Sequence, residues 1–326
     1  MPLLLNEREV AQLLRYEDLV PLMERTLAAF STGGAVQPVR SIVRMERHGG
    51  LMGTMPGYLS GDDALGVKLV TLVHANAQRG LPTHLATIAL LDPVTGALQA
   101  LLDGRLITEM RTAAVSAAAA RACARRGAGV LALIGAGVQA WSHLRAFAHA
   151  LGLREVRVAT RTAAHAEQFA RDASAGTGLL VRACATARDA VAGADLIVTV
   201  TASSTPVLES AWIGAGAHLS AVGACTAEWR ELDGATVARA RTFVDSRAAA
   251  AVEAGDLVLA EREGAIGPDH VAGEIGEVFA GRLAGRERDD QVTLFKSLGL
   301  AVEDVATAKL VYERACAAGI GRMAEV

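Results

Sequence analysis

The sequence predicts an α/β protein in which a doubly wound parallel sheet is joined to a second, mixed α+β domain. Three observations carry that prediction. The aliphatic run 130–134 breaks abruptly into Gly135-Ala136-Gly137-Val138-Gln139-Ala140 and then into a helical stretch reaching about residue 150, which is a strand, turn and helix in order. Strand-like and helix-like segments alternate from there on, as a parallel sheet requires. Ahead of that turn, several strand-like segments end in a hairpin, which parallel sheets do not contain.

At 326 residues the chain is long enough for two domains. Hydrophobic residues make up 52% of it but aromatic residues only 4%, and the excess is largely alanine, which suits helices lying close on a sheet. A net charge of −3 supplies no electrostatic footprint for nucleic acid or an anionic membrane surface. No basic segment precedes a long apolar run at the N-terminus and no stretch approaches a membrane span, so the protein is expected in the cytoplasm. Cys123, Cys184, Cys225 and Cys316 show no C-x-x-C or zinc spacing, and the histidines form no H-E-x-x-H, so reduced thiols and no metal site are expected.

Taken in order, residues 7–32 carry apolar positions at helical spacing (Val10, Leu13, Leu14, then Leu19, Leu22, Met23, Leu27, Phe30) and end at Gly33-Gly34, which reads as two helices. Strand-like pieces follow at 39–45, 50–56, 64–72 and 86–92. The last passes through the turn signal Pro93-Val94-Thr95-Gly96 into 98–103, forming the hairpin. An alanine-rich helix from Leu106 to about Ala124 bridges the domains and leads into the strand 130–134. Strands at 155–160, 179–184, 195–201, 218–223, 242–245 and 292–296 continue the alternation, with a helix near 187–191. Residues 281–290 read as a charged, solvated loop, and a last helix from about Val302 to Ala317 returns to the first domain.

The spacing of Gly135, Gly137 and Ala140 has a steric reason at each position. The first glycine permits the tight turn, the second lets a pyrophosphate approach the backbone, and the small alanine lets the new helix pack on its strand. The helix N-terminus then offers N–H groups and a positive dipole end to the phosphates. This is the fingerprint of a Rossmann dinucleotide site. Just past the second strand stand Thr160 and Arg161, where an acid usually binds the ribose 2′-hydroxyl of NAD. An arginine there suits a 2′-phosphate and so NADPH, with NADH also possible, unless Arg161 is only a surface residue.

Three cations lie in otherwise apolar segments of the first domain: Arg40, Lys68 and Arg111. A buried charge needs a partner, so they either await an anion brought by a ligand or face solvent and pair with Glu46, Asp62, Asp63 or Glu109.

Gln37-Pro38-Val39-Arg40, Met55-Pro56, Lys68-Leu69-Val70, Arg111-Thr112-Ala113-Ala114-Val115-Ser116, the turn 135–140, Ala221-Val222-Gly223 and the run 295–304 (FKSLGLAVED) together resemble the ornithine cyclodeaminase/mu-crystallin family over nearly the whole chain. The resemblance implies a substrate-binding and dimerisation domain at 1–118, completed by the C-terminal helical segment 302–326, and a Rossmann coenzyme-binding domain at 119–301. It implies that Arg40, Lys68 and Arg111 hold a substrate carboxylate, with Lys68 and Arg111 also closest to the chemistry. Thr83, His84 and Thr87 are implied to touch the coenzyme from the first domain, along with Arg111. Gly135, Ala136, Gly137, Val138 and Gln139 fall at its phosphates, Thr160 and Arg161 at its adenosine ribose, and Thr201, Val222, Lys296, Ser297 and Leu298 at its nicotinamide. A homodimer is implied as well.

The departures select among the family's reactions. Its cyclodeaminases carry an aspartate after the A-V-G strand and a glutamate shortly before M-P, where this chain has Cys225, beside the substrate, and Gly53. They also carry acids where Arg161 and Lys296 stand. The mu-crystallin branch lacks those acids and reduces cyclic ketimine carboxylates. The expected activity is therefore NAD(P)H-dependent reduction of Δ1-pyrroline-2-carboxylate or Δ1-piperideine-2-carboxylate to proline or pipecolate. The proton would come from Lys68 or a water. The alternatives are an alanine-type dehydrogenase or cyclodeaminase of the same family, or a protein that binds NADPH and a small ligand with little turnover.

Overall fold

A computed structural model describes residues 1–325. The chain forms two compact units, one comprising Met1–Arg111 and the chain from Gly299 onward, the other Thr112–Leu298. The first division falls inside the helix Arg105–Cys123.

In the first unit an eight-stranded mixed sheet is built around the long antiparallel neighbours Gly50–Leu59, Ala64–Val73 and His84–Leu91, with Leu98–Asp103 beyond the predicted hairpin. Alternation assigns the two faces. Met55, Lys68, Ile88, Leu90, Ala100 and Leu102 point to one side and are buried. The helices Glu7–Leu13, Tyr16–Ser31 and Ala301–Ala318 pack on this sheet. The first of them is fixed by a capping box, in which Asn6 accepts from the Arg8 and Glu9 amides while Glu9 reaches back to the Asn6 N–H. The opposite face leaves Val43, Leu69 and Leu85 exposed. Three short strands were not anticipated: Leu3–Leu5, which runs parallel to Leu98–Asp103; Arg322–Met323, which pairs with Leu3–Leu5; and Ala35–Val36, which pairs with Gly50–Leu59. The closing helix stops at Ala318, where Gly319 takes a left-handed φ of 64°. Helix therefore does not fill the segment 302–326, whose last residue, Val326, lies outside the described residues.

The second unit is a wholly parallel sheet of eight strands. From one edge it runs Val181–Ala183, Glu155–Ala159, Val130–Ile134, Leu196–Thr199, His218–Ala221, Thr293–Lys296, Arg241–Val244 and Val271–Glu274. Strand order reverses between Val130–Ile134 and Leu196–Thr199, and ligands of doubly wound sheets bind beyond the carboxyl ends of the strands at such a point. The edge strand Val271–Glu274 and the helix Ala163–Thr177 were not assigned from sequence. The charged loop 281–290 is not simply solvated. Arg286 turns inward, donating to the Cys123 carbonyl at 2.8 Å, the Gly216 carbonyl at 3.0 Å and the Thr293 hydroxyl at 3.1 Å, so it staples three segments together.

Candidate functional site

In the first unit the three expected cations converge, and their partners are not the acids that the sequence suggested. Lys68 lies on the buried face of its strand, 2% exposed, and pairs with Asp304. Arg111 is 3% exposed and donates through Nε to Asp304 at 2.8 Å and through Nη1 to Glu303 at 2.6 Å. Arg40, immediately before the strand Ser41–Met45 rather than on it, is half-buried and donates to the Gly299 carbonyl at 3.0 Å. Glu303 and Asp304 sit in the first turn of Ala301–Ala318, where the helix dipole favours negative charge, and both are fully buried. Gly299 is left-handed (φ 81°), and a Cβ there would stand 3.0 Å from the Arg111 guanidinium carbon, so only glycine lets the chain pass so close.

The electrostatics follow from this packing. Burial lowers the Lys68 ammonium to about 8, with the Asp304 charge opposing and the Arg111 charge assisting. Burial would raise the Asp304 carboxyl, yet Arg111 and Lys68 together hold it below its ordinary value, so it stays ionised. Lys68 and Arg111 thus share two carboxylates, and Arg40 lies near enough to lower the Lys68 ammonium further, so the formal charges of these five groups sum to one positive charge.

His84 shares the inner face of its strand with this group. Its imidazole falls to about 4 through burial first and then through the Lys68 and Arg111 charges, so it is neutral at pH 7 and offers both a donor and an acceptor. Thr83 precedes that strand and gives its carbonyl to the Val73 amide at 2.8 Å. Thr87 does not join them. Three residues along a strand is the wrong parity, so it is exposed on the opposite face, paired with Leu69.

In the second unit the fingerprint turn has the shape that a pyrophosphate needs. Gly135 holds φ 116°, and a Cβ there would press on the Val200 carbonyl oxygen at 2.8 Å. A Cβ on Gly137 would meet only open space. Gly137 caps the helix Val138–Ala150 with no side-chain hydrogen bond, so the first-turn amides, those of Val138 and Gln139 among them, are not satisfied by a capping side chain. Ala136 is half-buried, Val138 exposed and Ala140 fully buried against the sheet. His143, one turn on, meets the Gln139 carbonyl at 2.7 Å and the Ser116 hydroxyl at 3.0 Å and fixes the helix start from below. Half-buried Thr160 and exposed Arg161 follow the end of Glu155–Ala159. The residues present therefore fit a dinucleotide.

The remaining expected residues line the carboxyl ends of the neighbouring strands. Val222 donates to the Thr199 carbonyl at 3.0 Å and Ser297 to the Ala221 carbonyl at 3.0 Å. The Leu298 amide donates to Asp245 at 2.5 Å. Cys225 is exposed and leans on the Val222 carbonyl at 3.4 Å. Lys296 is fully buried, with Nζ 3.0 Å from Asp256, so its charge is neutralised inside the sheet layer. Sequence reasoning missed Glu231, Asp256, Glu303 and Asp304. The last two were visible as acids opening a helix, and nothing local said that their partners lay some 200 residues away.

A doubly wound sheet with this turn, joined in one chain to a mixed-sheet unit with a buried cluster of charge, defines a dinucleotide-binding α/β protein. The chain belongs to the ornithine cyclodeaminase/mu-crystallin family, whose pattern matches residues 1–319. It is 43% identical over 316 residues to the ketimine reductase mu-crystallin of Mus musculus, covering 96% of this chain and 97% of that one. Among solved structures it resembles the Δ(1)-pyrroline-2-carboxylate reductase of Thermococcus litoralis in complex with NADH and L-proline, at TM-score 0.96 and 37% identity over 99% of this chain and 100% of that one. It also resembles an archaeal alanine dehydrogenase dimer with bound NAD, at TM-score 0.94 and 32% identity over 99% of each chain. No helix among the described residues is long and apolar enough to cross a membrane.

Proposed function

We propose that this chain catalyses NAD(P)H-dependent reduction of small cyclic ketimine carboxylates, such as Δ1-pyrroline-2-carboxylate and Δ1-piperideine-2-carboxylate, to proline and pipecolate. The observation that carries the reading is the net positive formal charge of the group in which Lys68 and Arg111 pair with Glu303 and Asp304 and Arg40 holds the neighbouring Gly299 carbonyl. That centre takes a monoanionic carboxylate by charge-assisted hydrogen bonds, which orients the adjacent C2 of the imine. The relatives named above, one a ketimine reductase and one solved with NADH and L-proline, support it.

The nicotinamide coenzyme, when bound, supplies the hydride. The chain's own residues do the rest. The fingerprint turn and the helix Val138–Ala150 hold the pyrophosphate, and Arg161 binds a 2′-phosphate. Lys68 keeps a proton at Nζ close to neutral pH, near the imine nitrogen whose protonated form is the better electrophile. Neutral His84 offers a hydrogen bond without adding charge. The two positions at which the family's cyclodeaminases carry acids offer none here. Cys225 brings a thiol, and a side chain at Gly53 would press on Val70 at 3.0 Å. Glu303 and Asp304 are committed to the cations.

The partner we assign is a second copy of this chain. The exposed sheet face carrying Val43, Leu69 and Leu85 is the surface that a copy would cover, in keeping with the dimeric relative. The unit holding the cations is the substrate-binding unit, the other the coenzyme-binding one, and we place the protein in the cytoplasm.

A second reading, reductive amination of pyruvate, draws on the alanine dehydrogenase likeness. Steady-state assays separate the readings. Oxidation of NADPH by Δ1-pyrroline-2-carboxylate without ammonia supports the first, and turnover only with pyruvate and free ammonia the second. L-Ornithine with catalytic NAD should release no ammonia, and release at a rate comparable to imine reduction would replace the reductase reading with a cyclodeaminase.

A further inference from the structure

The carboxyl ends of Leu196–Thr199 and His218–Ala221 are joined by a side chain that neither the fingerprint nor the cationic centre explains. Glu231 lies on the loop after His218–Ala221 and is fully buried. Its Oε1 accepts from the Thr201 amide at 2.6 Å and the Thr201 hydroxyl at 2.7 Å. Its Oε2 accepts from the Gly223 amide at 2.7 Å and the Thr199 hydroxyl at 2.8 Å. Four donors fill the acceptor capacity of one carboxylate. Its own amide, with that of Leu232, is held by Asp256 at 2.7 and 2.9 Å, and Asp256 is paired with Lys296 at the end of the next strand. A cross-tie of this kind sets where the backbone at Thr201 and Gly223 lies, and both segments stand at the carboxyl ends of adjacent strands, the end of the sheet at which ligands bind.

We propose that Glu231 is a positioning residue for coenzyme binding, acting through the backbone of 201 and 223 without touching the coenzyme. The inference rests on the functional reading above. Its chemistry is specific to a carboxylate. Each oxygen accepts from a backbone N–H, which cannot reverse, so a glutamine at 231 must aim its NH2 at a donor on one side or the other.

Asp195 supplies the control. It too is a buried carboxylate tying two strands, accepting from the Gly129 and Val130 amides at 2.8 and 3.0 Å, but at the amino ends of the strands, away from where ligands bind. The experiment measures NADPH dissociation constants by fluorescence titration of the full-length protein without substrate, together with amide hydrogen exchange in the absence of coenzyme. Glu231→Gln should weaken NADPH by about tenfold or more and speed exchange at 201 and 223. Asp195→Asn should lower thermal stability while leaving the constant within about twofold of wild type. Thr199→Val removes a single donor from Oε2 at a buried site and should weaken NADPH several-fold, which keeps the test alive if Glu231→Gln does not fold. Wild-type affinity in Thr199→Val, or in folded Glu231→Gln, overturns the proposal, as does an equal loss in Asp195→Asn. If wild type itself binds neither NADPH nor NADH, the functional reading falls and takes this proposal with it.

Discussion

Replacing Asp304 with asparagine tests the cationic centre at its hinge. The carboxylate is fully buried, pairs with Lys68 and accepts from Arg111 Nε at 2.8 Å, so the isosteric change removes a charge with little change of shape. Two unit charges 4 Å apart attract by about 4 kcal/mol even at an effective dielectric constant of 20, and one pKa unit is worth about 1.4 kcal/mol. Asp304 is the largest influence raising the Lys68 ammonium against burial, so without it Lys68 should fall from about 8 by at least about one unit. At pH 7.5 its protonated fraction would drop from about three quarters to about one quarter or less. The neutral amine can then accept from the asparagine amide, which lets the variant fold. The assay is the pH dependence of kcat/KM for Δ1-pyrroline-2-carboxylate. The imine's own titration is common to both proteins, so the difference between profiles belongs to the enzyme. The alkaline limb, near 8 in wild type, should move to lower pH by about a unit or more. Stability gives a second reading with a definite sign. The Lys68 ammonium lies below its ordinary 10.5 in the folded state, so between about 8 and 10.5 the unfolded chain binds more protons and stability rises with pH there. Asparagine extends that window downward, making the variant's loss of Tm greater at pH 6 than at pH 9. An unmoved alkaline limb in a folded variant would refute the assignment of that limb to Lys68.

Two further expectations concern the ligands. Arg161→Ala should weaken NADPH about tenfold or more and leave NADH nearly unchanged, because a charge-assisted arginine–phosphate contact contributes about 1.5–3 kcal/mol; equal losses in coenzyme titrations would remove Arg161 from the 2′-phosphate site. Arg111→Ala should lower kcat/KM on imine carboxylates by about a hundredfold or more while narrowing the preference for them over imines lacking the acid, and near- and far-ultraviolet circular dichroism spectra should establish that it folds. Wild type that reduces the decarboxylated imine as well as the acid would take substrate anchoring away from the cations.

The parallel sheet was legible because its strands are short, doubly buried and aliphatic, and because the 135–140 turn has few other uses. The mixed sheet was legible through alternation and the turn at 93–96. The helix Ala163–Thr177 was not assigned although its buried stripe of Ala166, Phe169, Ala170 and Ala173 recurs at helical spacing, because alanine is so common in this chain that it does not mark a buried face. Leu3–Leu5 is too short to show any period. Within the site, single residues were readable where their chemistry conflicted with their surroundings, as at Lys68 and Arg111. The counter-charges were not, because an acid in a first helical turn already has a local explanation in the helix dipole. Asp256, in the first turn of the helix Gly255–Arg262, was hidden in the same way, and Glu231 because a carboxylate in a loop gives no sign that four donors will surround it. His84 and Thr87 show the converse: a motif read as one unit is divided between two faces by the alternation of its strand.

The discontinuity of the first unit bears on how the protein is made. Lys68 and Arg111 are synthesised before the whole of Thr112–Leu298, whereas Glu303 and Asp304, which pair with them, are synthesised after it. The whole of Thr112–Leu298 is synthesised in the interval and is contiguous, so it can fold as a unit while its predecessor waits. During that wait the nascent first unit must keep its cations in water and its sheet uncovered by Ala301–Ala318. A chain that stalls before residue 303 thus carries uncompensated charge on elements meant for an interior, a form suited to capture by chaperones or proteases, and the pairing of Lys68 and Arg111 waits on residues that follow the second unit.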